Sequence, residues 1–397
     1  MRRFGLGLAV GLAAVGAAAG DLSNALARVD AAWALGMAKC WSERTSLVYT
    51  CPPDRVKPAR EFDDGPGYFH WRKGDPAKGT YGKGMGDCAL ICGTALSGLV
   101  DRWRVRRDAA TAEAAGKVAC GLLNLAKAHG KPGFVARGLC AEDGRSVCSQ
   151  TSIDQYTHWL HGLFRYAKSG LADEAFQAEW RREIGEVAAF MKARCTPERK
   201  WNFGRFDGSD DPRGICTMWG PDLKPHAVAR LPAIYLAACD ATGEARWRDE
   251  YERLIDEALE RSLGLAETRN VYGRPCYILY QAQCAFEVID ALERDPARRE
   301  KLHRAMRAAA ADARRRIGVL RRNPGKTFYG MCFDGELALA LLLAGTRDLA
   351  PAEREFVVSL AERTATDRLD VCRAAHVLAA LWRLKVSQIP NTEGGIR

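Results

Sequence analysis

The chain has no hydrophobic run after its first twenty residues, no C-x-x-C pair, and almost no apolar/polar alternation. Each absence removes a class of protein. A span of the bilayer needs about 18 or more apolar residues, so nothing beyond the N-terminus is expected to cross one. A structural zinc site wants tight cysteine pairs, and the fourteen cysteines here are scattered. Without period-two alternation, sheet folds are not expected. There is no G-x-S-x-G, no G-x-x-x-x-G-K-[ST], and no G-x-G-x-x-G after a strand. A nucleophile elbow, a phosphate loop and a dinucleotide fold drop out, and no cofactor is expected. Lysines interleaved with aromatics are missing too. The basic clusters RWRVRR (102–107) and ARRRIGVLRR (313–322) fall at helix ends or solvent faces, so no nucleic-acid partner is expected.

What is present begins with MRRFGLGLAVGLAAVGAAAGD: two arginines, an apolar run, then Ala17-Ala18-Ala19. That is the pattern of a signal peptide cut after Ala19 or Gly20. It leaves residues 20–397 as one domain, periplasmic or secreted, with no membrane contact after cleavage. An uncleaved anchor is the alternative, disfavoured by the shortness of the run. Arg2-Arg3-Phe4 hints at twin-arginine export. In an oxidising compartment an even number of cysteines can pair. Cys40 with Cys51, and Cys140 with Cys148, flank short loops and are the expected local bridges. Cys88 and Cys92 share one helix face. The net charge of +10 favours an acidic partner.

Helical periodicity runs through the rest. Leu22, Leu26, Val29, Trp33 and Met37 form the first amphipathic stripe, before Cys40. Further helices are expected over 86–103, 109–130, 152–170, 172–194, 226–243, 244–264, 277–295, 297–318, 332–345, 351–363 and 371–385. Pro232 implies that the sixth is kinked or begins late. The links before even-numbered helices are long or irregular (41–85, 131–151, 195–225, 265–276, 319–331, 364–370). Those after them are tight. Hairpins stacked this way predict an all-α (α/α)6 toroid, with the even helices as a parallel inner ring and the long loops on one face. Binding sites are usually built on such loops.

Six helix N-termini aimed at one cavity would attract anions. The long links also carry aromatics: Tyr68, Phe69, Trp71, Tyr81, Trp201, Phe203, Phe206, Trp219, Tyr272 and Tyr329. Such rings can stack on sugar faces or pin the loops down. An acidic oligo- or polysaccharide is therefore the expected ligand. Asp87 opens the second helix and Asp154 the fourth, in SIDQYTHWLHGLF, with Ser152 as the expected N-cap. Two carboxylates from neighbouring inner helices can perform acid/base work on glycosides. Aspartate is equally favoured near helix N-termini by the dipole alone. His158, one turn after Asp154, is read as its orienting partner, and His161 as deeper in the ring wall. Asp154, His158 and His161 share a helix face, yet His161 is rotated about 60° from His158. No metal site is expected.

This layout resembles the six-hairpin sugar-active enzymes, most closely the unsaturated glucuronyl hydrolases. In that family one aspartate opens the second helix and another the fourth, the places of Asp87 and Asp154. The resemblance implies that one of them protonates a 4,5-unsaturated uronic acid and directs water onto it. Gln155, Tyr81, Arg137, Trp219, His226, Arg230, Trp71 and Tyr272 are the expected substrate-binding residues. The segments GKPGFVARGL, SIDQYTHWLHGLFRYAKSG and HAVARLPAIYLA also resemble a group of uncharacterised bacterial secreted proteins, a likeness that supplies no reaction. A polysaccharide lyase on the same toroid is the runner-up. It would draw its base, acid and uronate-neutralising cation from His158, His226, Tyr156, Tyr81, Arg137 and Arg230. A non-catalytic glycan-binding scaffold is the third reading.

Overall fold

The computed structural model describes residues 5–59, 68–69, 83–267, 275–322, 333–345, 349–364 and 370–389, with the backbone alone for 5–20, 68–69 and 333. Among these residues there are twelve α-helices: α1 Gly5–Cys40, α2 Cys88–Arg106, α3 Ala109–Lys127, α4 Ile153–Ala167, α5 Glu174–Arg194, α6 Arg230–Thr242, α7 Ala245–Ser262, α8 Tyr277–Leu292, α9 Pro296–Arg322, α10 Phe333–Leu342, α11 Pro351–Ser359 and α12 Val371–Ser387. The chain is all-α, as its periodicity predicts. Among the described residues, extended structure is limited to two isolated bridges and four two-residue pieces: β1 (Trp41–Ser42) pairs antiparallel with β2 (Leu47–Val48), and β3 (Tyr68–Phe69) pairs parallel with β4 (Val147–Cys148). Among the described residues, no helix is long and apolar enough to cross a membrane. The first helix runs without a break through the expected signal segment into its amphipathic part.

Burial separates the helices into two sets. From Gln155 onward, every residue of α4 is buried, as is every residue of α2 from Cys88 to Asp101 except Leu90. In α7, by contrast, buried positions such as Trp247, Tyr251, Leu254, Ile255 and Ala258 recur at helical spacing, with charged residues between. A helix apolar on one stripe packs on the outside; one covered all round lies within. Neighbour contacts run α2–α4–α6–α8–α10–α12 and back to α2, the adjacency a six-hairpin toroid requires. The odd helices pack outside this circuit. One contact departs from an open ring: α4 also touches α8, so the circuit is closed down at its middle.

Glycine sets the closest approach in the circuit. A Cβ on Gly93 of α2 would lie 2.2 Å from the backbone oxygen of His158 in α4, and one on Gly162 of α4 would lie 2.8 Å from the oxygen of Gly93. The two backbones are therefore in contact, which only a residue without a side chain allows. That contact holds the second turn of α2 against the second and third turns of α4. The sixth helix starts at Arg230, later than its periodicity suggests. Pro232 then falls in the first turn, where its missing N–H has no helical acceptor to lose.

The expected bridges do not form. Cys40, Cys51, Cys140 and Cys148 are free thiols. The reason is register. Trp41 pairs with Val48, and the amide of Tyr49 donates to the carbonyl of Cys40, so Tyr49 rather than Cys51 stands opposite Cys40. Leu139 faces Val147, which leaves Cys140 and Cys148 two residues out of register. Diagonal neighbours on an antiparallel pair are about 7–8 Å apart, beyond the ~6.8 Å that a disulfide tolerates between Cα atoms. The thiol of Cys140 donates to the Lys57 carbonyl, and that of Cys148 to Gln150 Oε1 at 3.0 Å.

Candidate active site

The N-terminal ends of α2, α4, α6 and α8 are linked to one another through side chains. Asp87 occupies the N-cap position of α2, yet its side chain accepts no hydrogen bond from the helix. Elsewhere in the chain aspartate does cap: Asp108, Asp173 and Asp370 accept from the amides of Thr111, Phe176 and Arg373. At α2 a loop takes over, because the Arg137 carbonyl accepts the amide of Ala89 at 3.1 Å. Gly138 lets that loop lie flat on the helix start; a Cβ there would meet the Met85 oxygen at 2.5 Å. The Asp87 carboxylate is thereby released from the ordinary duty of such a residue. The same happens at α4. Ser152 is the N-cap residue as expected, but the Ile215 carbonyl accepts the amide of Ile153 at 2.9 Å and the Ser152 side chain makes no cap bond.

The released groups form a chain across the face. Arg137 and Gln155 both donate to Asp87 Oδ1, each at 3.1 Å. Arg230 donates through Nη1 to Asp154 Oδ1 at 2.9 Å and through Nη2 to Gln281 Oε1 at 2.8 Å. The side chains of Asp87 and Asp154 are 37% and 29% exposed, whereas those of their arginines are 6% and 2% exposed. Two half-open carboxylates are thus each backed by a buried guanidinium. Among the described residues, the side-chain hydrogen bonds to the two carboxylates all go to Oδ1. Arg230 also opens α6, where the helix dipole adds to its positive field. A narrow crevice, too tight for a water molecule, runs beside Arg230 between α4, α6 and α8, lined also by Tyr156, Thr157, Leu160, Met218, Ile234 and Ala285.

His158 does not orient Asp154. Its Nδ1 lies 3.3 Å from Thr94 Oγ1 on α2, and the Tyr280 hydroxyl donates to the same oxygen at 3.3 Å. Its ring centroid is 5.2 Å from that of Tyr280 on α8. Burial, with the nearby His376, His161 and Arg230, pulls the His158 imidazole well below its usual pKa, so it is neutral at pH 7. The helix is wound so that Asp154 faces α6 while His158, one turn on, faces α2 and α8. His161 sits deeper, as expected. Its Nε2 lies 2.6 Å from Glu287 Oε2. The two histidines diverge and share no common ligand position.

Below them a charged network closes the short-turn end of the circuit. Arg165 pairs with Asp101 at 2.5 Å, and Arg383 pairs with Glu287. Burial would push the Glu287 carboxyl up, but Arg383, Arg165 and the His161 hydrogen bond outweigh it and hold the group well below the usual carboxylate range. Asp101 is held low in the same way by Arg165 and Arg383, against its own burial. These groups pair with one another, and Arg165 also lies in the last turn of α4, where the dipole favours a cation.

The remaining expected site residues divide. Tyr81, Trp71 and Tyr272 lie outside the described residues, as does Tyr329. Trp219 is not a sugar platform: it is buried under the Arg261 guanidinium, 5.5 Å from the ring, and Arg261 also ties down the carbonyls of Gly220 and Leu223. Phe203 is fully buried, and Phe206 packs edge-on against His129 and Phe134. His226 is half-buried just before α6. The Tyr156 hydroxyl bridges the Val135 amide and the Gly133 carbonyl. Gln281, Tyr280, Thr94, Glu336 and His376 were missed. All five are buried polar side chains on inner helices. Their signal was available: a polar residue inside an otherwise apolar helix must find a partner or a ligand.

No protein-family model matches the chain, and comparison with curated proteins finds no significantly similar sequence.

Proposed function

We propose that the chain is an exported (α/α)6-toroid enzyme acting on uronate-containing glycan, as a hydrolase of the unsaturated glucuronyl type. One observation carries the reading: Asp87 and Asp154 stand half-exposed on neighbouring inner helices, joined through Gln155 and Arg230 to one face, and neither is used as a cap. A capping hydrogen bond gives no reason for Asp87 to be there. In this role one aspartate delivers a proton to C4 of the 4,5-double bond and positive charge develops at C5, next to the ring oxygen. A water directed by the carboxylates adds at C5 and returns its proton to the site. The net change is addition of water across the double bond, with the aspartates regenerated. Arg137 and Arg230 fix the two carboxylates, and the converging helix N-termini favour an anionic sugar.

The lyase reading draws less support. Tyr156 is committed to backbone groups, and His158 is enclosed beneath the face. Incubation with acidic polysaccharides and with their unsaturated oligosaccharides separates the readings by absorbance of the 4,5-double bond. A fall on the unsaturated oligosaccharides supports hydration. A rise on intact polysaccharide means elimination. No change on any substrate rejects both and leaves other glycosidase chemistry or a binding scaffold.

A further inference from the structure

Arg230 is an awkward residue with which to begin a helix. It is the first residue of α6 and only 2% exposed. A helix start carries positive partial charge, so the dipole disfavours a cation there. The guanidinium is held from outside α6, by two neighbouring inner helices. Nη1 donates to Asp154 Oδ1 on α4 at 2.9 Å, and Nη2 donates to Gln281 Oε1 on α8 at 2.8 Å. Among the described residues, Nε has no hydrogen-bond partner. The guanidinium is planar, so these two bonds set both its place and its plane.

The two anchors are not equal. The Asp154 side chain is 29% exposed and has solvent beside it into which it can turn. Gln281 is fully buried in the second turn of α8. That helix is itself tied down: two residues on, Gln283 donates to the Met306 carbonyl of α9 and to the Ala340 carbonyl of α10, each at 2.9 Å. Constraint therefore runs from the buried amide to the guanidinium, and from there to the half-open carboxylate. The residue type matters as well. An amide oxygen accepts from Arg230 without neutralising it. A carboxylate at 281 would form a second ion pair and compete with Asp154 for the same charge. Two further titratable groups feel the Arg230 charge, His158 on α4 and Cys284 on α8. Burial pulls the imidazole down and pushes the thiol up, so both are neutral at pH 7 and neither competes.

We propose that Gln281 is a positioning residue that acts on Asp154 through Arg230, aiming the guanidinium so that the carboxylate is held in one orientation at the start of α4. That the held carboxylate does acid/base work rests on the proposed function; its placement by Gln281 does not. The test compares Gln281→Glu and Gln281→Met with the wild type. The Asp154 side-chain carboxyl is followed by an NMR pH titration, its signal identified by its loss in Asp154→Asn, and turnover of the unsaturated oligosaccharide is measured in parallel. In Gln281→Glu the added charge draws on Arg230, and the Asp154 midpoint should rise by about one pH unit. In Gln281→Met, which removes the acceptor and adds no charge, the guanidinium comes loose and the midpoint should rise by about half a unit. There kcat should fall roughly tenfold with KM little changed. A role in helix packing alone would move Tm and leave the Asp154 titration where it is. An Asp154 midpoint equal to that of the wild type, in whichever variant folds, overturns the proposal. The titration decides this apart from the reaction: a wild type that leaves the double bond intact refutes the hydrolase, and a raised Asp154 midpoint in its Gln281 variants still supports the placement.

Discussion

Gly93→Ala tests how the site is assembled. The new methyl would sit 2.2 Å from the His158 oxygen and 2.6 Å from its carbon, both main-chain atoms that cannot swing aside. Ordinary contact is about 3.5 Å, so α2 and α4 must part by about 1.3 Å or bend. Overpacking of this kind costs typically 1–3 kcal/mol, or roughly 1–4 °C in Tm for a chain of this size. The separation also reaches the face above: Gln155 Nε2 stands 3.1 Å from Asp87 Oδ1, and another ångström takes it out of hydrogen-bond range. Gly116→Ala is the control. It lies in α3, and its methyl would meet only the Tyr166 hydroxyl at 3.5 Å, so replacing a mid-helix glycine should stabilise by up to about 1 kcal/mol. Thermal melts followed by circular dichroism, with turnover of the unsaturated oligosaccharide, read both effects. Gly93→Ala should lower Tm and activity, and Gly116→Ala should raise Tm and leave activity alone. A Gly93→Ala protein as stable and as active as the wild type would refute the close-packing argument.

Other expectations are more compact. Arg230→Met should cost at least tenfold in turnover, because Asp154 loses its hydrogen bond and Gln281 its partner; equal kcat and KM would contradict the site. Stability should decline as pH falls below about 6.5. His158 and His161 are buried with folded pKa values below their unfolded ones, so the unfolded chain binds more protons there, with a slope of up to about 1.4 kcal/mol per pH unit per histidine. Asp101 and Glu287, held low, add their loss only below about pH 4. Urea melts between pH 7.5 and 5 check this, and a flat profile rejects it. Mass spectrometry of alkylated, unreduced protein should find Cys140 and Cys148 as thiols; a peptide pair joined at those positions would overturn the register argument.

Much of the fold was legible because burial leaves a periodic trace. All twelve helices could be drawn from spacing, and alternating link lengths separated inner from outer ones. Asp87 and Asp154 were legible as first-turn residues of neighbouring inner helices. The freedom of Asp87 from capping was not, since it depends on the carbonyl of Arg137 arriving from a distant loop. His158 misled for a related reason. Helical spacing puts it on the face of Asp154, but the aim of that face changes along a wall with three neighbours. The cysteine pairs failed because loop length does not determine register, and an offset of two residues is enough to prevent a bridge. Trp219 and Phe203 failed because an aromatic in a long link reads the same whether it faces a ligand or the packing beneath.

The central claim is that Asp87 serves the ligand and not the helix it begins. The direct measurement is turnover and Tm for Asp87→Asn beside Asp108→Ala, whose carboxylate caps α3 through the Thr111 amide. Asp108→Ala should lose about 1 kcal/mol of stability and keep its turnover. Asp87→Asn, which retains an acceptor for Arg137 and Gln155, should keep its Tm and lose at least a hundredfold in hydration of the unsaturated substrate. An Asp87→Asn protein that turns over at the wild-type rate, or one that loses only stability, would contradict the account.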